Sequence, residues 1–226
     1  MDLRDLEFER PVRLSAGDAL AVVDVQNDFM PGGALPVEEG DAIVEGVNRM
    51  MELFSLGGLP VALTQDWHPA GHHSFASAHP GRRPYDLFES DGLGPVLWPD
   101  HCVQGSGGAD FHPDLETVFA QAIIRKGYHQ GIDSYSGFLE NDLKTPTGLH
   151  GYLQSRSARR LFLCGLALDY CVFFTAVDGA ALGYEVYLIA ELSRPVGSPP
   201  GSLSRALGTM TEKGVRFVRA ADIRRA

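Results

Sequence analysis

The chain has 226 residues, 44% hydrophobic and 21% charged, which are the proportions of a globular protein able to bury a sizeable core. Its formal net charge of −10 excludes a partner held through phosphates, because such binding needs clustered Lys and Arg; the basic groups at 156–160 and in the terminal IRRA read as solvated surface. No window approaches the roughly 18 uninterrupted apolar residues of a membrane span, and the charges throughout MDLRDLEFERPVRLSAGD leave no apolar segment for a secretion signal.

In chain order, the first predicted strand covers residues 19–25 and carries Asp24 near its end, in VVDVQNDF. Residues 39–56 have helical periodicity and stop at Gly57 and Gly58, where a left-handed residue commonly ends a helix. Residues 59–65 form the second strand, which runs into TQDWHPAGHHSF. From Asp66 to Glu116 the rhythm fails. This stretch is rich in Pro, Gly and His, and loops of that length in a compact domain are usually functional. The alternation resumes with strands at 121–126, 160–167, 184–190 and 215–219 and helices at 147–157, 169–182 and 202–213. Most of the strands are continuous apolar runs, as expected where helices cover both faces of a parallel sheet. The pattern predicts an α/β fold: a doubly wound, mainly parallel sheet with helices on both faces, in three layers, as one domain over 1–226.

In such folds ligands sit outside the carboxyl ends of the strands, beside the switch in strand order. Four strands deliver chemistry to that edge: Asp24, the pair Asp66 and His68, Lys126, and Cys171 in GLALDYCV. Taken singly, each has an ordinary reading as a turn or helix cap, a solvated strand end or a small buried hydrophobe. Taken together, Cys171, Asp24 and Lys126 make a usable nucleophile. The carboxylate accepts the thiol proton, and the ammonium keeps the carboxylate ionised and favours the thiolate. The backbone amides from Ala167 to Cys171 would then form an oxyanion site.

Asp66 and His68 are two apart, so on extended chain their side chains point the same way, and His101 lies in the same irregular segment. One carboxylate and two imidazoles with open positions suit Zn²⁺, Fe²⁺ or Mn²⁺. Spacing alone leaves a set of surface histidines as the alternative, because His72, His73, His79 and His112 are nearby. Cys102 and Cys164 read as packing, and Trp67 and Phe75 either line a pocket or pack. An odd number of cysteines without a CxxC pair fits the reduced thiols of a cytoplasm.

The segments DVQNDFMPGGALPV, TQDWHP, WPDHCVQGSGGADFHPDL, RKG, YSGF, KTPTGLHGYL and GLALDYCVFFTA follow one another from about residue 18 to the C-terminus. In that order they resemble the nicotinamidase/pyrazinamidase branch of the isochorismatase-like cysteine hydrolases. The resemblance implies an amidase that converts nicotinamide to nicotinate and ammonia, and pyrazinamide likewise, through a cysteine thioester. It implies Asp24, Lys126 and Cys171 as the catalytic triad. Asp66, His68 and His101 would be ligands of one divalent metal ion, Zn²⁺ foremost, with His73 a candidate fourth. It further implies an oxyanion hole from Ala167 and Cys171, a cis Leu166–Ala167 peptide, and a ring pocket lined by Phe29, Trp98 and Tyr135. The partner expected is a small amide, with a homo-oligomer left open. The sequence departs from the family at Leu168, where threonine is usual in GLATDYCV, and the part before Gly17 matches nothing in it. The rival readings are a related hydrolase of another small amide or carbamoyl compound, an isochorismatase, a silent metal-stabilised binding module and a thiol redox protein. Cys171, the intact triad and the QDWHP and WPDHC segments weigh against them.

Overall fold

The computed structural model describes residues 3–9 and 11–225. Its strands are β1 (Phe8–Glu9), β2 (Val12–Arg13), β3 (Asp18–Val23), β4 (Val61–Asp66), β5 (Ala122–Lys126), β6 (Arg160–Leu166), β7 (Glu185–Arg194), β8 (Arg216–Val218) and β9 (Ile223–Arg224). The helices are α1 (Val44–Leu56), α2 (Leu149–Ser155), α3 (Cys171–Ala181) and α4 (Ser202–Glu212). Seven strands form one parallel sheet in the order β1-β8-β7-β6-β3-β4-β5, and β2 pairs with β9 alone. No helix among the described residues is long and apolar enough to cross a membrane.

Burial explains the strand composition. Every residue of β3 and β4 is buried, which is why residues 19–23 and 61–63 read as apolar runs. Strand β5 is the sheet edge, and most of it alternates between half-buried and exposed positions. Helix α1 turns Val44, Val47, Met51 and Phe54 inward, a spacing of three to four that builds one apolar face against β3, β4 and β7. The predicted helix at 39–56 splits into a 3₁₀ turn (Asp41–Ile43) followed by α1.

The chain crosses from β3 through α1 to β4 in one direction along the sheet and from β6 through α3 to β7 in the other. Right-handed crossovers therefore place α1 and α3 on opposite faces, and the order reverses between β6 and β3. The six predicted strands all form. Strand β7 runs to Arg194, beyond the predicted 190, because after an irregularity its last residues pair with the end of β6. Strands β1, β2 and β9 lay outside the sequence reading: two residues show no period. The charged N-terminal stretch and the terminal IRRA fall in part on Met1, Asp2, Arg10 and Ala226, which lie outside the described residues.

Candidate active site

The carboxyl ends of β3, β4, β5 and β6 meet at the reversal. Asp24 follows β3 with φ +47, an unusual backbone for a residue other than glycine. It is wholly buried, and Thr64 of β4 holds it twice: the hydroxyl donates to Oδ1 at 2.6 Å and accepts the Asp24 N–H at 3.2 Å. Lys126, the last residue of β5, is also wholly buried. Its Nζ lies 2.9 Å from Asp24 Oδ2 and 3.4 Å from Cys171 Sγ, donates to the Ser134 carbonyl at 2.8 Å, and pairs with Asp66 Oδ1. Carboxylate oxygens of Asp24 and Asp66 and the sulfur of Cys171 lie within 4.8 Å of one another. Burial pushes Asp24 up to about 6 against the pull of Lys126. Burial also pushes the Cys171 thiol well up, and Lys126 opposes it. At neutral pH the cluster therefore holds a thiol, a mostly ionised carboxylate and an ammonium, with the carboxylate placed to take the thiol proton.

Asp66 ends β4, and two imidazoles converge on its Oδ2, with Nε2 of His68 at 3.8 Å and Nε2 of His101 at 3.9 Å. His68 Nδ1 meets the Gly127 carbonyl and His101 Nδ1 the Pro99 carbonyl, each at 2.8 Å. A carbonyl only accepts, so both Nδ1 atoms carry the hydrogen and both Nε2 atoms keep a lone pair for a cation. Burial raises and Lys126 more than reverses: Asp66 is held well below the usual carboxylate range. Burial, aided by His68, pushes His101 down to about 4, leaving a neutral imidazole. At His68 burial is outweighed by Asp66, which favours the protonated form; a cation there competes with that proton. One buried carboxylate and two buried imidazoles with free lone pairs fit a divalent metal ion. His73 is exposed and outside this group. Its neighbour His72 is buried, but its ring is engaged by Ser74 Oγ and by the carbonyls of His129 and Ile132.

A small pocket lies beside the two groups of residues. Phe29, Trp98 and Tyr135 all line it, with Leu35, Tyr170 and Val196. The aromatic side is fixed by Trp98 Nε1–H donating to the Tyr135 hydroxyl at 3.0 Å, which donates to the Gly94 carbonyl at 2.9 Å. Asp66 and His101 border the same space as Ala167 and Cys171. The Leu166–Ala167 peptide is cis. The Ala167 carbonyl accepts the N–H groups of Tyr170 and Val172, both at 3.1 Å, which fixes the turn bearing Cys171.

Residues 18–222 match the model of the Isochorismatase domain. The chain belongs to the isochorismatase family. A nicotinamidase from Acinetobacter baylyi is 43% identical over 205 residues, 91% of this chain and 94% of that protein. The solved structure of an Acinetobacter baumanii nicotinamidase/pyrazinamidase superposes with a TM-score of 0.88 at 44% identity, covering 93% of this chain and 99% of the other. A pyrazinamidase from Pyrococcus horikoshii, solved in complex with zinc, gives 0.73 at 37% identity, covering 90% and 99%.

Several residues of this isochorismatase-family site escape a sequence reading. Thr64 is the first polar residue after the apolar start of β4, VALTQD, and that is its only signal. Asp133 borders the cavity, is buried and has an Oδ2 without a hydrogen-bond partner, yet nothing in GIDSYSGF marks it. Leu35, Tyr170 and Val196 come from irregular chain or a turn. Leu168, where the family usually has threonine, is in the hydrophobic core and does not border the cavity. Cys102 and Cys164 are core residues. Phe75 packs edge-on to His68 and Trp67 stacks on Arg125, so neither lines the cavity.

Proposed function

We propose that residues 1–226 act as one hydrolase domain that converts nicotinamide to nicotinate and ammonia, and pyrazinamide likewise. The observation that carries the reading is the buried Cys171–Lys126–Asp24 cluster beside Asp66 and His101, with Cys171, Asp66 and His101 lining one aromatic-walled pocket. The family membership and the nicotinamidase relatives, at 43–44% identity, support the substrate class.

Asp24 takes the proton of Cys171, and the sulfur attacks the amide carbon. Lys126 keeps Asp24 ionised beforehand and offsets the charge of the sulfur. The amides of Ala167 and Cys171 receive the developing oxyanion, a kind of contact worth about 2.7–4 kcal/mol in other enzymes. Collapse breaks the carbon–nitrogen bond, the proton on Asp24 leaves with ammonia, and Cys171 carries a thioester. Asp24 then deprotonates a water that attacks the thioester, and the departing sulfur recovers the proton as nicotinate is freed. Asp66, His68 and His101 would hold the divalent ion, Zn²⁺ by preference, whose Lewis acidity suits a pyridine nitrogen and would fix the ring with its carboxamide toward Cys171. Trp98 and Tyr135 form an aromatic wall for the ring. The three free cysteines, Cys102, Cys164 and Cys171, suit a reducing compartment such as the cytoplasm.

The test follows ammonia from nicotinamide in the purified protein, beside a Cys171→Ala protein and a chelator-treated sample. Release that disappears in both controls is expected. Release that persists after chelation removes the metal from the mechanism, and none above the Cys171→Ala background removes nicotinamide as substrate.

A further inference from the structure

The turn that carries Cys171 also grips a second loop. Asp169 is only 5% exposed, and its carboxylate accepts three hydrogen bonds from residues 27 to 33 positions downstream. The Val196 N–H reaches Oδ1 at 2.8 Å, the Gly197 N–H reaches Oδ2 at 3.0 Å, and the Ser202 hydroxyl also donates to Oδ2. Next to it, the Tyr170 hydroxyl donates to the Ser198 carbonyl at 2.7 Å. The hydrolytic steps above use none of these groups. Residues 195–201 have no regular structure, and Gly197 and Gly201 both have positive φ. The segment is held by Asp169 and Tyr170, with Ser202 at the start of α4 on the same carboxylate and Arg205 on the Pro200 carbonyl at 3.3 Å. Val196, held by Asp169, borders the substrate cavity. The other end of the segment is tied down as well: the Arg194 carbonyl accepts the Leu168 N–H at 2.8 Å, and the Arg194 side chain pairs with Glu39 at 3.2 Å.

We propose that Asp169 is a positioning residue for ring selection. Its carboxylate sets the 195–201 segment so that Val196 closes the cavity against the ring of a bound carboxamide. It acts on which ring is held, while thioester chemistry belongs to Cys171, Asp24 and Lys126. The part concerning ring selection rests on the amidase reading above; the anchoring of the segment does not.

Asp169→Asn keeps the size and one acceptor for Val196 but brings an amide donor against the Gly197 N–H. Val196→Ala leaves every anchor in place and opens the wall directly. Hydrogen–deuterium exchange of the peptide covering 195–201 is compared in the parent protein and Asp169→Asn, and kcat and KM are measured with nicotinamide and 5-methylnicotinamide in all three. Faster exchange in Asp169→Asn is expected, with KM for nicotinamide raised about tenfold and kcat within about threefold. Both variants should shift relative kcat/KM toward the methylated ring by about tenfold, the scale of one methyl group in an apolar pocket. Unchanged exchange, a fall in kcat at constant KM, or a ring preference that Val196→Ala leaves unmoved would overturn the proposal. A parent protein inactive on nicotinamide refutes the amidase reading instead. Exchange, with nicotinate binding followed by tryptophan fluorescence, then decides the role of Asp169. Ser202→Ala, which removes one bond only, replaces Asp169→Asn should that variant not fold.

Discussion

Replacing Thr64 by Val keeps the shape of the side chain and removes both of its bonds to Asp24. A hydrogen bond to a charged group contributes about 1.5–3 kcal/mol, and one pKa unit corresponds to about 1.4 kcal/mol. The ionised form of Asp24 therefore loses about 1 to 2 units of support. The sign follows from the site: burial already lifts Asp24 to about 6, the Thr64 hydroxyl holds it down, and its removal lets it rise. The acid limb of kcat/KM reports the base of the free enzyme, so it should move from near 6 to roughly 7–8. At pH 6.5 the loss is about 3- to 25-fold, and it narrows above pH 8.5. Stability carries the same signature. A folded carboxyl with a raised pKa destabilises the fold as pH rises through that pKa. The variant should lose about 1.5–3 kcal/mol at pH 8, where Asp24 is charged, and nearer 1 kcal/mol at pH 5, where it is protonated. The assays are a pH series of kcat/KM and denaturant unfolding at the two pH values. A uniformly lower rate with an unmoved acid limb would refute the assignment of Asp24 as base under Thr64 control.

Lys126→Met strips the cation from between two buried carboxylates. Unfolding in denaturant should show a loss of about 3–5 kcal/mol, and ammonia release should vanish; a stable, active variant contradicts the charge balance drawn here. At Gly127 φ is +67, and a β-carbon would stand 2.4 Å from His68 Cε1. Gly127→Ala should therefore displace His68 from the Gly127 carbonyl and weaken metal retention about 10–100-fold, measured as bound metal after dialysis against a graded chelator. Leu168→Thr restores the residue usual in the resembling family but buries a hydroxyl in the core. A stability loss of about 1–3 kcal/mol with an unchanged ratio of kcat/KM for nicotinamide over pyrazinamide is expected, and a changed ratio would place Leu168 at the cavity after all.

What the sequence makes legible depends on whether the signal is local. Strands β3, β4 and β6 are buried on both faces, so their apolar runs are visible without the rest of the chain. Asp24, Asp66, Lys126 and Cys171 can be read because each sits at or just beyond a strand end, and the fold brings such ends together. His101 is harder: only the adjoining WPDHCVQG gives it away, since the segment from 67 to 121 has no period to carry it back to Asp66. The engagement of His72 is not local at all. It turns on carbonyls of His129 and Ile132, more than fifty residues away, which occupy the ring of His72, while His73 points outward. The direction of Leu168 is not local either: adjacency to Ala167 does not fix it, and its N–H is drawn to Arg194 at the end of β7. Strands of two residues, such as β1 and β2, exist only through their partners β8 and β9.

The convergence at the sheet edge is a matter of register. Asp66 and Lys126 are directly paired as the last residues of β4 and β5, so their side chains leave the same face and meet. A slip of one residue would turn Lys126 to the other side of the sheet and leave Asp24 and Asp66 buried without a cation. On the other flank Val23 pairs with Gly165, where φ is +114 and a β-carbon would stand 2.1 Å from the Val23 carbonyl. Only glycine lets β6 approach β3 that closely two residues before Ala167. From there the chain turns to present Cys171 at the start of α3, 3.4 Å from Lys126. The place of Cys171 thus depends on two strand pairings on either side of β3 and β4, and neither pairing contains Cys171 itself. Substitutions at Gly165, which does not itself border the cavity, should therefore abolish activity by moving the thiol away from Lys126 and Asp24 before they expose any part of the core.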